Sequence, residues 1–155
     1  MNALRRFFIL CCLAVLLGSA LSAQDAARVS PERISREIAS RLNFAASQHE
    51  IIGVLIDQGS YESVPQEFDK ILALGLVGEQ EGLVAEAAWQ IADRLREARQ
   101  YAIAHSIVDR SLGLTEQPGN QFRLLMMRAK IFKDQKLLQQ AIETFREAQR
   151  LQIPQ

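Results

Sequence analysis

The chain has 155 residues, is 48% hydrophobic and 23% charged, and carries a formal net charge of zero. That length suits one domain, the composition is globular rather than disordered, and the charge balance lacks the electrostatic footprint of a broadly basic nucleic-acid binder. Two cysteines, Cys11 and Cys12, and two histidines, His49 and His105, exclude a cysteine-based zinc or iron–sulfur site and a disulfide scaffold, and leave little room for histidine-based catalysis.

The first element is an address. Arg5 and Arg6 precede an unbroken apolar run from Phe7 to Leu17, and small residues follow (Gly18, Ser19, Ala20, Ser22, Ala23). This three-part order is that of a secretory signal peptide. A helix over that run is about 16 Å long, far short of roughly 30 Å of hydrocarbon, so a permanent anchor is not expected. Cleavage is expected after Ala23, with Ala20 as the alternative. Arg5-Arg6 does not make a twin-arginine signal, because the flanking polar and basic residues are missing, so the general secretory route is favoured. Cys11 and Cys12 lie too early for a lipoprotein signal. Residues 1–23 are therefore read as the signal, 24–30 as a short linker, and 31–155 as the folded domain. The product would be periplasmic or extracellular and without cysteine. After cleavage it would have no stable membrane insertion.

Beyond the linker, apolar residues recur at steps of three and four. Val84, Ala88, Ile91, Leu95 and Ala98 form one such stripe. Phe122, Leu125, Ala129 and Phe132 form a second, and Leu138, Ala141, Phe145, Ala148 and Leu151 a third. Each is the buried face of an amphipathic helix. Ser30, Ser63 and Asn120 are placed to cap helices, with Pro31 and Pro65 in first turns, and Gly75 and Gly113 fall where helix C-termini want a left-handed residue. The spacing predicts six helices, over about 31–57, 63–74, 80–98, 101–112, 120–134 and 137–152. Short connections make neighbours antiparallel hairpins.

The hairpins repeat. Aligning Leu55, Leu95 and Phe132 places Tyr61, Tyr101 and Leu138 together six residues on. Val64, Ala104 and Ala141 coincide nine residues on, and Phe68, Val108 and Phe145 thirteen on. One helical hairpin per unit, at offsets of 40 and 37 residues, is a solenoid signature. The expected fold is all-α, with antiparallel hairpins stacked as a short α-solenoid of about three repeats. Ile34, Ile38 and Leu42 extend the first helix as a stripe that would cap the first unit.

The last unit, about Phe122 to Gln155, resembles a tetratricopeptide repeat (TPR). Ala129, Phe132, Ala141, Phe145 and Ala148 fall at that family's small and aromatic positions, and Pro154 stands within a residue of its usual place. The second unit matches at Ala92, Leu95, Tyr101 and Ala104. The first is weakest, with Ile52 at a position expected to be small and Gly53 beside it.

The residues offer little chemistry. No phosphate-cradling glycine loop, serine elbow or HExxH occurs; His49-Glu50 begins like the last, but Gly53 stands in place of the second histidine. His105 and the Glu62, Glu67, Asp69 cluster read as helix-flank residues. No catalytic residue, metal site or cofactor is expected, and an exported hydrolase is disfavoured for want of nucleophile, base and metal set.

Charge is uneven. From Glu50 to Glu86 there are eight acids and one base, and from Arg94 to Arg150 eleven bases and six acids. Beside the reading of solvated faces stands a dipolar surface that orients a partner or lets copies associate head to tail. The TPR resemblance implies an interaction scaffold that binds a protein or peptide in a groove lined by first helices. Carried onto this register, the groove residues are Ala46, His49, Gly53 and Ile56; Glu86, Trp89, Asp93 and Arg96; and Arg123, Met126, Lys130 and Lys133. A peptide with an apolar part and an acidic end would suit that gradient. The family's carboxylate clamp is not reproduced, since His49, Gly53 and Met127 occupy its positions. The alternative function is a non-repeat helical accessory subunit with a structural role in an envelope complex.

Overall fold

The computed structural model describes residues 31–152. The signal segment, the linker, the Ser30 cap and Pro154 lie outside the described residues. The described chain has six α-helices and, among those residues, no strand: α1 Pro31–Asp57, α2 Val64–Leu72, α3 Glu81–Glu97, α4 Tyr101–Leu112, α5 Pro118–Asp134 and α6 Leu138–Arg150. Short 3-10 turns, Tyr61–Ser63 and Gly78–Gln80, lead into α2 and α3. The helix count matches the sequence reading, and most bounds agree within two residues, as expected for frayed ends. The chain divides into two compact units, Met1–Ser40 and Arg41–Gln155, so the division falls inside α1. In the described part of the first unit, Ile34 is exposed, Ile38 is half-buried, and Arg36 pairs with Glu32 across one turn.

The second unit shows why its helices reverse where they do. α1, α3 and α5 each end in one left-handed residue: Gly59 (φ 75°), Arg99 (φ 60°) and Lys136 (φ 65°). In each case the following N–H reaches back to the carbonyl at the alignment point. Ser60 donates to Leu55 (2.8 Å), Gln100 to Leu95 (2.8 Å) and Leu137 to Phe132 (2.9 Å). The left-handed residue itself donates to the carbonyl one position later, that of Ile56, Arg96 or Lys133. This is the Schellman closure, which satisfies carbonyls that a helix end would otherwise orphan. The three closures are spaced by the same 40 and 37 residues that align the apolar positions.

Other cap expectations are corrected. Gly113 is right-handed (φ −66°), because α4 ends in a right-handed turn in which the Thr115 hydroxyl donates to the Ser111 carbonyl. Asn120 is not a cap. α5 begins two residues earlier, at Pro118 behind extended Gln117, and the Asn120 amide turns to Glu81 instead. Ser63 precedes α2 without making a side-chain cap bond.

The core is one cluster built from α1 to α5. Ile52 and Ile56 of α1 and Val64, Phe68 and Ile71 of α2 belong to it. Ala85, Ala88, Ile91, Ala92 and Leu95 of α3 join Ala104, Ile107 and Val108 of α4, and Leu124, Met127 and Ile131 close it from α5. Buried alanines on α3 and α4 let these helices approach closely. α3 packs on α4, and α5 on α6. Across hairpins, α3 packs on α5, α4 on α5, and α2 on α4. Phe145 departs from expectation: it is half-buried, because among the described residues α6 packs chiefly on α5 and buries Ala141, Thr144 and Ala148.

Polar contacts pin each hairpin to the next, mostly from an acid to a base further along. Arg94 pairs with Asp57 (2.5 Å), Arg110 with Asp69, Arg123 with Glu86, and Arg128 with Asp109 (3.5 Å). Arg96 pairs forward with Asp134 (2.6 Å). Gly53 lies against the first seam. Its carbonyl accepts from Arg94 Nη2 at 3.2 Å, and a β-carbon there would stand 2.8 Å from Nη1. The uneven charge of the sequence is thus partly consumed inside the molecule. Exposed ion pairs of this kind each contribute only about 0.2–1 kcal/mol, so they select register more than they add stability.

Candidate functional site

Within the second unit, an apolar cleft of about 440 Å³ lies between the later half of α1, the end of α2 and the start of α3. α1 contributes Leu42, Ala45, Ala46, His49 and Glu50. Ile71 and Leu76 form the floor and one edge, and Leu83, Val84, Glu86, Ala87 and Gln90 come from α3. Leu83 is 55% exposed, a large apolar side chain that the helix presents to solvent at the cleft. The shape follows from local sequence: Ala45, Ala46 and Ala87 are too short to fill the space between two helices.

Three of the groove positions implied by the resemblance, Ala46, His49 and Glu86, line this cleft. Beyond it, Trp89 is half-buried, packs against the core, and lies 5.2 Å beneath the Lys130 ammonium, a cation–π geometry. Both readings of Trp89, core and surface, describe part of it. Glu86 accepts from Gln90 (2.8 Å) and pairs with Arg123, so Arg123 is not a free cation. Arg96 is held between Asp93 (2.9 Å) and Asp134 (2.6 Å). Burial opposes its charge, but the bonds to Asp134 and Asp93 outweigh that and raise its pKa above the usual guanidinium value. Met126 is half-buried, and Lys133 is exposed and makes no ion pair among the described residues. Ile56 is a correction: it is 7% exposed and belongs to the buried core cluster that also holds Val64 and Phe68.

The seam beside this surface holds a buried acid. Glu81 is 5% exposed and begins α3. Burial disfavours its charge, but the Asn120 amide and the backbone N–H groups of Gln117 and Glu116 donate to it and hold its pKa below the usual carboxylate value. Its Oε1 receives Gln117 N at 3.0 Å and Asn120 Nδ2 at 3.1 Å. It stands at the positive end of its own helix and bonds the backbone N–H of Gln117, the residue that opens α5. This carboxylate is a clamp between hairpins. His105 is likewise structural in its contacts: its ring lies 4.4 Å from Phe132, and Nε2 is 2.9 Å from Gln135 Oε1.

Sequence reasoning missed Leu76 and Leu83 as cleft residues. Leu83 lies off the apolar stripe of α3, and that offset was the available signal. The seam pairs had a clearer one: Asp57 and Arg94, and Glu86 and Arg123, are opposite charges 37 residues apart.

Among the described residues, no group of three or more histidine, cysteine or acidic side chains is placed to hold a metal, and no helix is long and apolar enough to cross a membrane. Comparison of the chain with protein-family models, with curated proteins and with solved structures returned no match.

Proposed function

We propose that the chain is an exported TPR-like interaction scaffold: three stacked helical hairpins that hold an extended peptide along the first-helix side. The apolar cleft between α1 and α3 carries this reading, because a peptide's apolar side chain would fill a space that this chain leaves empty. The stacked arrangement is supported by three like Schellman closures at offsets of 40 and 37 residues, and by packing of first helix α3 on first helix α5 and of second helix α2 on second helix α4. Export rests on the leader pattern of residues 1–23.

Among the described groove residues, Lys130 and Lys133 remain the cations without an ion pair, open to an acidic end of the peptide. Arg123 and Arg96 act inside the scaffold. Trp89, the only tryptophan, reports occupancy. Titrating the purified protein with an extended peptide library should give a saturable change in Trp89 fluorescence. Leu83→Asp should abolish it without loss of helix content, and Lys130→Glu with Lys133→Glu should weaken it and flatten its salt dependence. Binding that survives all three changes but is lost on Arg146→Ala would place the partner on the second helices and refute the groove.

A further inference from the structure

The two ends of the stack leave apolar side chains uncovered, at positions which inside the molecule are seams. On α4, His105 stacks on Phe132 and Asp109 pairs with Arg128, so these positions face the next hairpin. Thirty-seven residues on, α6 presents Ile142 (45% exposed) and Arg146 there, with Leu138 beside them (58% exposed). The other end is reciprocal. Arg94 and Arg128 reach back from α3 and α5 to the preceding hairpin. The same register places Val54 (53% exposed) and Ile51 (44% exposed) on α1, which no hairpin precedes among the described residues. The other residues of these two registers, Ile131 and Ile91, are buried in the core, so on α1 an apolar seam position is left in solvent.

From these uncovered seam positions we infer that the α6 end of one molecule docks on the α1 end of a second copy, continuing the hairpin stack head to tail. The ends also carry opposite charge. Leaving out the groups paired between hairpins, residues 41–74 hold two bases and three acids, net −1, and residues 118–152 hold five bases and two acids, net +3. Like ends therefore repel and unlike ends attract, which disfavours a two-fold dimer and favours a heterologous contact. Such a contact leaves one free end at each terminus, so it builds chains rather than closed pairs. The inference rests on the stacked-hairpin reading but not on the peptide groove.

The test uses end-blocked variants and sedimentation velocity from micromolar to millimolar protein. Wild type should give a concentration-dependent series beyond the dimer, which shortens at high salt. Ile51→Gln with Val54→Gln removes the apolar contact at the α1 end without recreating the seam arginine of the Arg94 register, and Ile142→Glu blocks the α6 end. Both sites are exposed, so folding should be retained, and Leu138→Glu serves as a further α6 variant. Each variant alone should be monomeric, because its one intact end has no partner. An equimolar mixture of the two should form a one-to-one dimer and nothing larger. A monomeric wild type at every concentration would overturn the inference, and so would a closed dimer that one of the single variants still forms. Failure of the peptide titration leaves these masses unchanged, so the two proposals fail separately.

Discussion

α4 and α6 are second helices of the same register, yet they live in different surroundings. α4 lies against α2, α3 and α5 and buries Ala104, Ile107, Val108 and Ser111. α6 packs on α5, buries Ala141, Thr144 and Ala148, and leaves Leu138 and Ile142 in solvent. The apolar spacing that marks a helix therefore does not fix how deeply it is buried. Neighbours fix that, and α6 has fewer of them than α4.

The largest expected effect separates buried from edge positions directly. Phe68 and Phe145 occupy one register position, but Phe68 is fully buried and Phe145 is half-buried. Phe68→Ala should cost about 3–5 kcal/mol. Phe145→Ala should cost about 1–2 kcal/mol, since only part of the ring leaves water on folding. Urea unfolding of both variants measures the gap, and equal losses would erase the distinction between edge and middle.

Ala104 and Ala141 sharpen it. Both are buried where two helices meet. Ala104→Leu should overpack a position enclosed on several sides and cost about 1–3 kcal/mol. Ala141→Leu should cost less, because α6 can shift outward. The midpoint of the same urea transition reports both.

Glu81 tests the seam between hairpins. Glu81→Ala removes the acceptor of the Gln117 N–H and the shorter of the two Asn120 amide bonds, and should cost about 1–3 kcal/mol. The carboxyl is more acidic folded than unfolded, so the stability it contributes is present above the ordinary glutamate range. It is lost as pH falls through the lowered folded value. Melting temperature against pH should therefore fall more steeply for wild type than for Glu81→Gln in acid, and the two curves should converge at the acid end.

The smallest effect concerns the turns. Arg99 and Lys136 adopt the left-handed geometry that Gly59 adopts without steric cost. Arg99→Gly and Lys136→Gly should raise stability by up to about 1 kcal/mol, the relief of left-handed strain less the entropy glycine loses. Gly59→Ala should lower it by a similar amount, and thermal melts of the three variants give the signs.

These comparisons also mark what could be read without coordinates. Helix positions were legible because the apolar period and the proline and glycine punctuation agreed. The turns at Arg99 and Lys136 were not legible as left-handed turns, because neither residue type favours that conformation; only register alignment with Gly59 points to them. Gly113 misled for the opposite reason: it could be left-handed, but α4 ends in a right-handed turn. Asn120 misled because its side chain serves Glu81, a contact 39 residues away. Phe145 and Ile56 show the limit of pattern reading. Phe145 has the spacing of a central core residue and lies at an edge, whereas Ile56 has the register of a groove residue and lies in the core. Of the positions expected to line a groove, Ala46, His49 and Glu86 border one cleft, whereas the commitment of Arg123 to Glu86 depends on how α3 and α5 pack.

Amide hydrogen exchange on the monomer, at concentrations too low for association, tests the stacked-hairpin account most directly. A stack held by nearest neighbours opens from its ends. The slowest amides should lie in α3 and α4, and the α6 amides should exchange through a lower-energy opening that leaves α3 and α4 protected. Equal protection of α4 and α6, with all helices exchanging only through global unfolding, would contradict it.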